Sequence, residues 1–278
     1  MPSEKSINTY TLQSGFQSGE FNMATDDALL EWARQQDDMI WIIRTYQWET
    51  PTLSFGVHQS EKSRQRSLAH YGQNRPKNQK PNENLPPKPK AKPKAWTQRP
   101  TGGRAILHGA DISFSVITND PWGIANDLTT SYNRLTHILT QALTTLQIPH
   151  TGSTEKEANA YTQSALCFET HTPHDIIGNN GHKMAGCAQV RRKNGVLQHG
   201  AVFFEETNPV QATKVTEENF LTALTHALED TLIQDRQAVL KGTQRAEQVL
   251  ISRPDYRDIA APLLNRYSQE LSGKVENA

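Results

Sequence analysis

The sequence predicts an α+β fold, a mixed and mostly antiparallel sheet flanked by helices, and three observations support it. Strand patterns dominate the middle of the 278-residue chain, and helical patterns lie toward its periphery. The two do not alternate regularly, as the βαβ units of a doubly wound sheet require. Turn signals between neighbouring strand patterns mark hairpins, which join antiparallel strands.

Taken in order, Asn22 to Gln35 (NMATDDALLEWARQ) reads as a helix. Asn22 is the candidate N-cap, Asp26 and Asp27 lie in the first turns, and Ala24, Ala28, Leu29 and Trp32 share a face. Ile40 to Tyr46, rich in isoleucine and aromatics, follows as a strand, and Pro51 and Gly56 bracket a second one, Thr52 to Phe55. An insert then spans residues 73–95. Within it, Arg75 to Lys94 holds seven Lys or Arg, six Pro and one acidic residue. So little to bury cannot offset the ordering entropy, and an extended loop is expected. A docking arm for an acidic partner is one reading of it, and an insertion without specific role is the preferred one.

Order resumes at Trp96. Ala105 to Leu107 and Ile112 to Ile117 read as a hairpin around the turn His108 to Asp111. Asp127 caps a helix to Leu146, with Leu128, Leu135, Ile138, Leu139, Ala142, Leu143 and Leu146 on one stripe. Asp175 to Ile177 and Met184 to Arg191 flank an Asn180-Gly181 turn, a second hairpin. Leu197 to Phe204 is a further strand, and Phe220 to Leu232 and Tyr256 to Leu271 read as helices.

Composition excludes several function classes. The formal net charge is zero, with 29 basic and 29 acidic residues, so nothing global draws the chain to nucleic acid or an acidic membrane. The basic insert lacks interleaved aromatics for base stacking. No apolar run reaches membrane-spanning length, and Met1 to Thr9 lacks a secretion signal. A cytoplasmic protein without a membrane or nucleic-acid partner is expected. The two cysteines, Cys167 and Cys187, make a disulfide framework improbable and leave room for a working thiol. Zinc-ligand spacing, a phosphate-binding P-loop and a dinucleotide fingerprint are all missing, so no metal site is expected.

Four constellations carry chemistry. In Arg99-Pro100-Thr101-Gly102-Gly103-Arg104 the paired glycines let the backbone approach a ligand, and the arginines can hold a carboxylate or phosphate. Lys183 at a hairpin tip, followed by small residues up to Gly186, Cys187 and Ala188, suits a cation over a tunnel. A solvated turn lysine has the same pattern. Cys167-Phe168 is either a buried structural thiol or a nucleophile activated by a nearby cation. His108 and His199 each precede a glycine.

These motifs, in this order, resemble the family of lipoate-protein ligases and octanoyltransferases, which shares a catalytic domain with biotin-protein ligases. The resemblance rests on three runs. They are Asn22-Met23-Ala24 with Asp26 and Ala28; Arg99 to His108; and Lys183 to Arg191 continuing to Leu197-Gln198-His199-Gly200. Arg44, Trp48 and Pro51 to Ser54 also resemble the family's early strand pair. The resemblance implies a biotin/lipoate-ligase-like catalytic domain over residues 10–235 and a helical C-terminal extension over 236–278. It also implies a substrate site built from Arg44, Arg99, Thr101, Gly102, Gly103, Arg104, His108, Gly186, Ala188 and His199.

Two chemistries compete within that family. One branch activates lipoate with ATP through an acyl-adenylate, which brings in ATP and Mg. The other takes octanoyl from acyl-carrier protein through an enzyme thioester and needs no cofactor. Ala165-Leu166-Cys167-Phe168 ahead of Lys183 is similar to the cysteine-dependent branch. The resemblance therefore implies an octanoyltransferase with Cys167 and Lys183 as catalytic residues, a lipoyl-domain or glycine-cleavage carrier as recipient, and a monomer. In this chain Cys187 stands where the family usually has serine, and His174-Asp175 where it has Tyr-Glu. Cys187 is the second candidate nucleophile, placed behind Cys167 because it reads as a small strand residue. A biotin ligase fits less well, its glycine-arginine loop having another residue order. A fold that has lost turnover is disfavoured by the presence of both Cys167 and Lys183.

Overall fold

The computed structural model describes residues 7–72, 92–152, 167–169, 172, 174–204, 213–236 and 240–245. Residues 73–91 of the expected insert, residues 153–166 and the helix expected at Tyr256 to Leu271 lie outside them. The chain opens with a strand, β1 (Ile7–Gln17), which its polar alternation concealed in the sequence, and then enters helix α1 (Gly19–Ala33). The helix begins a turn earlier than Asn22 suggests. Ser18 is the N-cap, its hydroxyl accepting the Phe21 N–H at 3.3 Å, which satisfies one of the open donors of the first turn. Asn22 is instead buried within the helix, donating to the Gln47 carbonyl.

Strand β2 (Met39–Trp48) leads to β3 (Thr52–Phe55) and helix α2 (Glu61–Gly72), which is polar around most of its circumference and was not legible by period. Strand β4 (Ala95–Gln98) is followed by β5 (Ile106–His108) and β6 (Ile112–Thr118). After a one-turn helix α3 (Pro121–Ile124) comes α4 (Leu128–Thr145), capped by Asp127 as its sequence indicates. Leu128, placed on the apolar stripe by its spacing, is 57% exposed. A short strand β7 (His150–Gly152), a 3-10 turn at Cys167–Glu169, β8 (Ile176–Gly178), β9 (Lys183–Arg192) and β10 (Gly195–Val202) follow. Helix α5 (Glu217–Arg236) and strand β11 (Leu240–Arg245) complete the described chain. Inside the segment expected to be a helical extension, residues 240–245 thus form a strand.

Eight strands make one sheet in the order β11-β1-β2-β6-β10-β9-β8-β7, and three make a small sheet, β4-β3-β5. Pairing is antiparallel except for β11-β1-β2 and β3-β4. The β8-β9 hairpin forms as its Asn180-Gly181 turn requires, with Gly181 at φ +76°. The expected hairpin of β5 and β6 does not form. β5 pairs with β3 and β6 with β2 and β10, so the turn between them carries the chain from the small sheet to the large one.

Strand alternation builds two cores. From β2, Trp41 and Ile43 face Leu135, Ile138 and Leu139 of α4 and Phe220 and Leu224 of α5. Ile40 and Ile42 face Leu29 and Leu30 of α1 on the other side. Each such buried aliphatic contributes about 1.5–3 kcal/mol relative to exposure. No helix among the described residues is long and apolar enough to cross a membrane.

Candidate active site

Register across β2, β6, β10 and β9 sets Tyr46, Ser113, Ala201 and Gly186 side by side, and therefore on one face of the sheet. Bulk falls along this row from a phenol to no side chain at all. Over it opens a narrow, largely apolar cavity lined by this row together with Trp48, Met23, Gly103, Ile106 and Cys167. A Cβ at Gly186 would meet the end of the Lys183 side chain, Cε at 2.6 Å and Nζ at 2.9 Å, so a larger residue there would displace that cation.

The Arg99–Arg104 loop forms one wall. Arg99 is buried, and its guanidinium serves the loop itself. It donates to the Ser54 carbonyl (2.9 Å) and hydroxyl (2.7 Å), and to the carbonyls of Gly102 (3.1 Å) and Arg104 (2.8 Å). Burial pulls its pKa down to about 10, so it stays cationic. Gly103 sits at φ +92°, a left-handed conformation that favours glycine. Gly56 permits the close approach of this loop, since a Cβ there would lie 2.1 Å from the Gly103 carbonyl oxygen.

Two histidines pin the loop from either side. His199 Nδ1 lies 2.9 Å from Asp26 Oδ2 and its Nε2 lies 2.6 Å from Thr101 Oγ1. His108 Nδ1 lies 2.9 Å from Asp111 Oδ2 and its Nε2 lies 2.7 Å from Ser54 Oγ. The geometry fits one tautomer in both, Nδ1–H donating to the carboxylate and Nε2 accepting from the hydroxyl. Neither ring has a nitrogen left for a substrate, although both line the cavity. His108 also stacks on Trp48 at 3.9 Å.

Asp26 is the hub of this buried polar network. It accepts from Arg44 Nη1 (2.7 Å), Tyr46 Oη (3.0 Å), Ser115 Oγ (2.9 Å) and His199. Arg44, read from the sequence as a substrate contact, is completely buried and spends its other donors on Asn22 and Ser14. It holds the floor of the site together and does not line the cavity. Thr101, Gly102 and Arg104 also lie outside the lining, as parts of the supporting loop.

Charge in this network has a consequence for stability. Burial raises the Asp26 carboxyl, but Arg44 and His199 together hold it below its ordinary value of 3.8. Burial pulls His199 below its ordinary 6.5, with Asp26 only partly opposing. Both groups bind protons more readily in the unfolded chain, so stability is fullest above about pH 6.5 and falls on acidification. The expected outcome is a lower urea midpoint at pH 5 than at pH 8; an unchanged or higher midpoint at pH 5 contradicts it.

Cys167 and Lys183 meet at the edge of the cavity. The sequence suggests a lysine projecting from a hairpin tip; the structure places it as the first residue of β9, only 4% exposed. Its Nζ lies 3.5 Å from Cys167 Sγ, 3.2 Å from the Cys167 carbonyl oxygen and 2.9 Å from Asp175 Oδ1. Burial disfavours the ammonium, yet Cys167 and Asp175 outweigh it and hold the Lys183 pKa above its ordinary value. The 3-10 turn at Cys167 is fixed by the Cys167 N–H donating to the Ala105 carbonyl at 3.0 Å, which ties the thiol to the end of the glycine loop. Cys187 also lines the cavity, but burial first, then Asp175, push its thiol up to about 12, against a weaker opposing pull from Lys183. Among the described residues no three His, Cys, Asp or Glu side chains are placed to share a metal ion.

Sequence reasoning thus brings together Cys167, Lys183, Gly103, Gly186, Ala188, Arg99, His108 and His199. Tyr46, Trp48 and Met23 also form part of the wall: the strand parity of β2 puts Tyr46 and Trp48 on one face, and Met23 comes from α1. Sequence reasoning overlooked Asp26 as the hub because a carboxylate in a first helical turn has a sufficient explanation in the helix dipole.

The Lipoyl protein ligase A/B catalytic domain model matches residues 18–219. An octanoyltransferase LipM from Lysinibacillus sphaericus is 32% identical over 211 residues, covering 70% of this chain and 66% of the relative. The Bacillus subtilis octanoyltransferase LipM is 30% identical over 201 residues, covering 70% and 64%. The matches thus span about two thirds of the length of these curated relatives. Among solved structures, a lipoate-protein ligase A bound with ATP superposes with a TM-score of 0.61 at 16% identity, covering 94% of this chain and 95% of that one. A bipartite lipoate protein ligase from Thermoplasma acidophilum, solved in a study that includes its E2 lipoyl domain, gives 0.58 at 15% identity, covering 94% and 93%. The cavity and its cysteine–lysine pair therefore sit in the fold of these ligases, and the chain belongs to the lipoyl protein ligase A/B catalytic domain family.

Proposed function

We propose that this chain is an octanoyltransferase that takes octanoyl from acyl-carrier protein through a thioester on Cys167 and passes it to a lysine of a lipoyl-carrier protein. The observation that carries this reading is the Cys167 sulfur 3.5 Å from a buried ammonium at the edge of a largely apolar cavity. The relatives named octanoyltransferase LipM support it, and the lipoyl domain paired with the Thermoplasma acidophilum ligase supports the class of recipient.

In the first half-reaction the Cys167 thiolate attacks the donor's thioester carbonyl. The new C–S bond forms, the old one breaks, and the carrier's thiolate leaves with its electron pair. In the second, the recipient amine attacks the acyl-enzyme. A C–N bond forms, the electron pair of the breaking C–S bond returns to Cys167, and the proton shed by nitrogen goes to solvent. Lys183 serves both steps as a fixed cation. Its three N–H donors already have three acceptors, and as an ammonium it has no lone pair with which to take a proton. The donor aimed at Sγ is free to turn to the oxyanion as the sulfur becomes covalently engaged.

The test is intact-mass analysis of the protein with octanoyl-acyl-carrier protein, against free octanoate with ATP and Mg²⁺. One octanoyl increment from the carrier-bound donor, transferable to a lipoyl domain, is expected. Modification of the lipoyl domain from free octanoate and ATP, undiminished when both thiols are replaced, would establish ligase chemistry instead.

A further inference from the structure

Resting on that reading, we propose that Asp175 is a positioning residue acting chiefly in the second half-reaction, where it is the remaining anion that keeps Lys183 charged beside the acylated Cys167. Its place in the fold suits the task. It precedes β8, its residue is 3% exposed, and its two oxygens are divided between two duties. Oδ1 accepts from Lys183 Nζ at 2.9 Å and Oδ2 accepts from the Thr172 N–H at 2.6 Å. The second bond ties the carboxylate to the segment returning from Cys167, so the counter-ion and the nucleophile belong to one stretch of backbone.

Few charges among the described residues surround the Lys183 nitrogen. The groups near Lys183 are Cys167 and the ring of Phe168 on the 3-10 turn, Asp175 before β8 and Cys187 further along β9. Tyr132 of α4, whose ring contacts His174, completes the surroundings; its hydroxyl donates to the Cys187 carbonyl. Tyr132 and Cys187 are both held in their neutral forms by burial first and by nearby anionic groups next. Among the described residues, the anions open to Lys183 are thus Cys167 and Asp175. Acylation turns Cys167 into a neutral thioester and removes one of them. A buried ammonium without a counter-ion loses its proton readily, so in the acyl-enzyme the cation depends on Asp175. Before acylation the thiolate itself performs the same service.

This predicts an asymmetry that a merely structural role does not produce. In Asp175→Asn, single-turnover acylation by octanoyl-acyl-carrier protein stays within about threefold of wild type, while transfer from acyl-enzyme to a lipoyl domain slows by about tenfold or more. Acyl-enzyme therefore accumulates in the steady state, visible by intact mass. The transfer rate of the variant also falls off at lower pH than that of wild type, because Lys183 is no longer held charged. Asp175→Glu restores part of the transfer rate. Equal slowing of both half-reactions would show Asp175 to be a scaffold for Lys183 geometry, and wild-type rates in both would remove it from the mechanism. If wild-type protein takes up no octanoyl at all, the acyl-enzyme reading itself fails, a result separate from either.

Discussion

Cys167→Ala abolishes the octanoyl increment on the protein and lowers transfer to a lipoyl domain by about three orders of magnitude or more. The size of the effect follows from the absence of an understudy. Cys187 lines the same cavity, but with its thiol pushed up to about 12, on the order of one molecule in 10⁴ to 10⁵ carries that thiolate at pH 7.5. Cys187→Ser leaves the increment in place, since a serine there replaces a thiol that does not ionise. Circular dichroism and the thermal midpoint should be close to wild type in both variants, because each substitution removes or replaces a single sulfur atom. An undiminished increment in Cys167→Ala would move the nucleophile elsewhere and take the mechanism with it.

Arg44→Met is the largest expected change in stability, about 3–5 kcal/mol by the measure of buried pairs broken from one side. The variant leaves Asp26 fully buried without its main counter-ion, and strips Asn22 and Ser14 of the donors they meet in the native fold. Against a typical total of about 5–15 kcal/mol this is a large fraction, and the urea midpoint should drop accordingly. Adding Asp26→Asn should recover part of the loss, because the stranded charge is then gone, although Tyr46 and His199 lose their acceptor. A single variant as stable as wild type would mean that Asp26 is neutral in the folded protein.

The elements that the sequence made legible are those whose period matches a single burial pattern. The α4 stripe, capped by Asp127, and the apolar run of β2 are of this kind. The elements it concealed have other reasons to exist. Strand β1 alternates with polar residues, and α2 offers no apolar face. The β5-β6 turn has hairpin chemistry, yet the small sheet competes successfully for β5 through β3. At the site, the Cys167 to Lys183 spacing and the Arg99 to His108 run stand out through the family resemblance, since each pattern alone also fits a structural thiol, a turn lysine or an ordinary glycine turn. Arg44 was misread because an arginine in a strand looks the same whether it greets a ligand or a buried carboxylate. Only the pairing of β2 with β6 and the seat of α1 show that Asp26 waits beneath it.

The pairing of Ile7 with Leu240 joins the two ends of the described chain at one margin of the large sheet. β1 therefore has one neighbour available as soon as β2 is made and must wait for the other until residues 240–245 have been synthesised. Contacts of such sequence separation form late and slowly. During synthesis the outer backbone of β1 is left open to chaperones or to stray strands until β11 covers it.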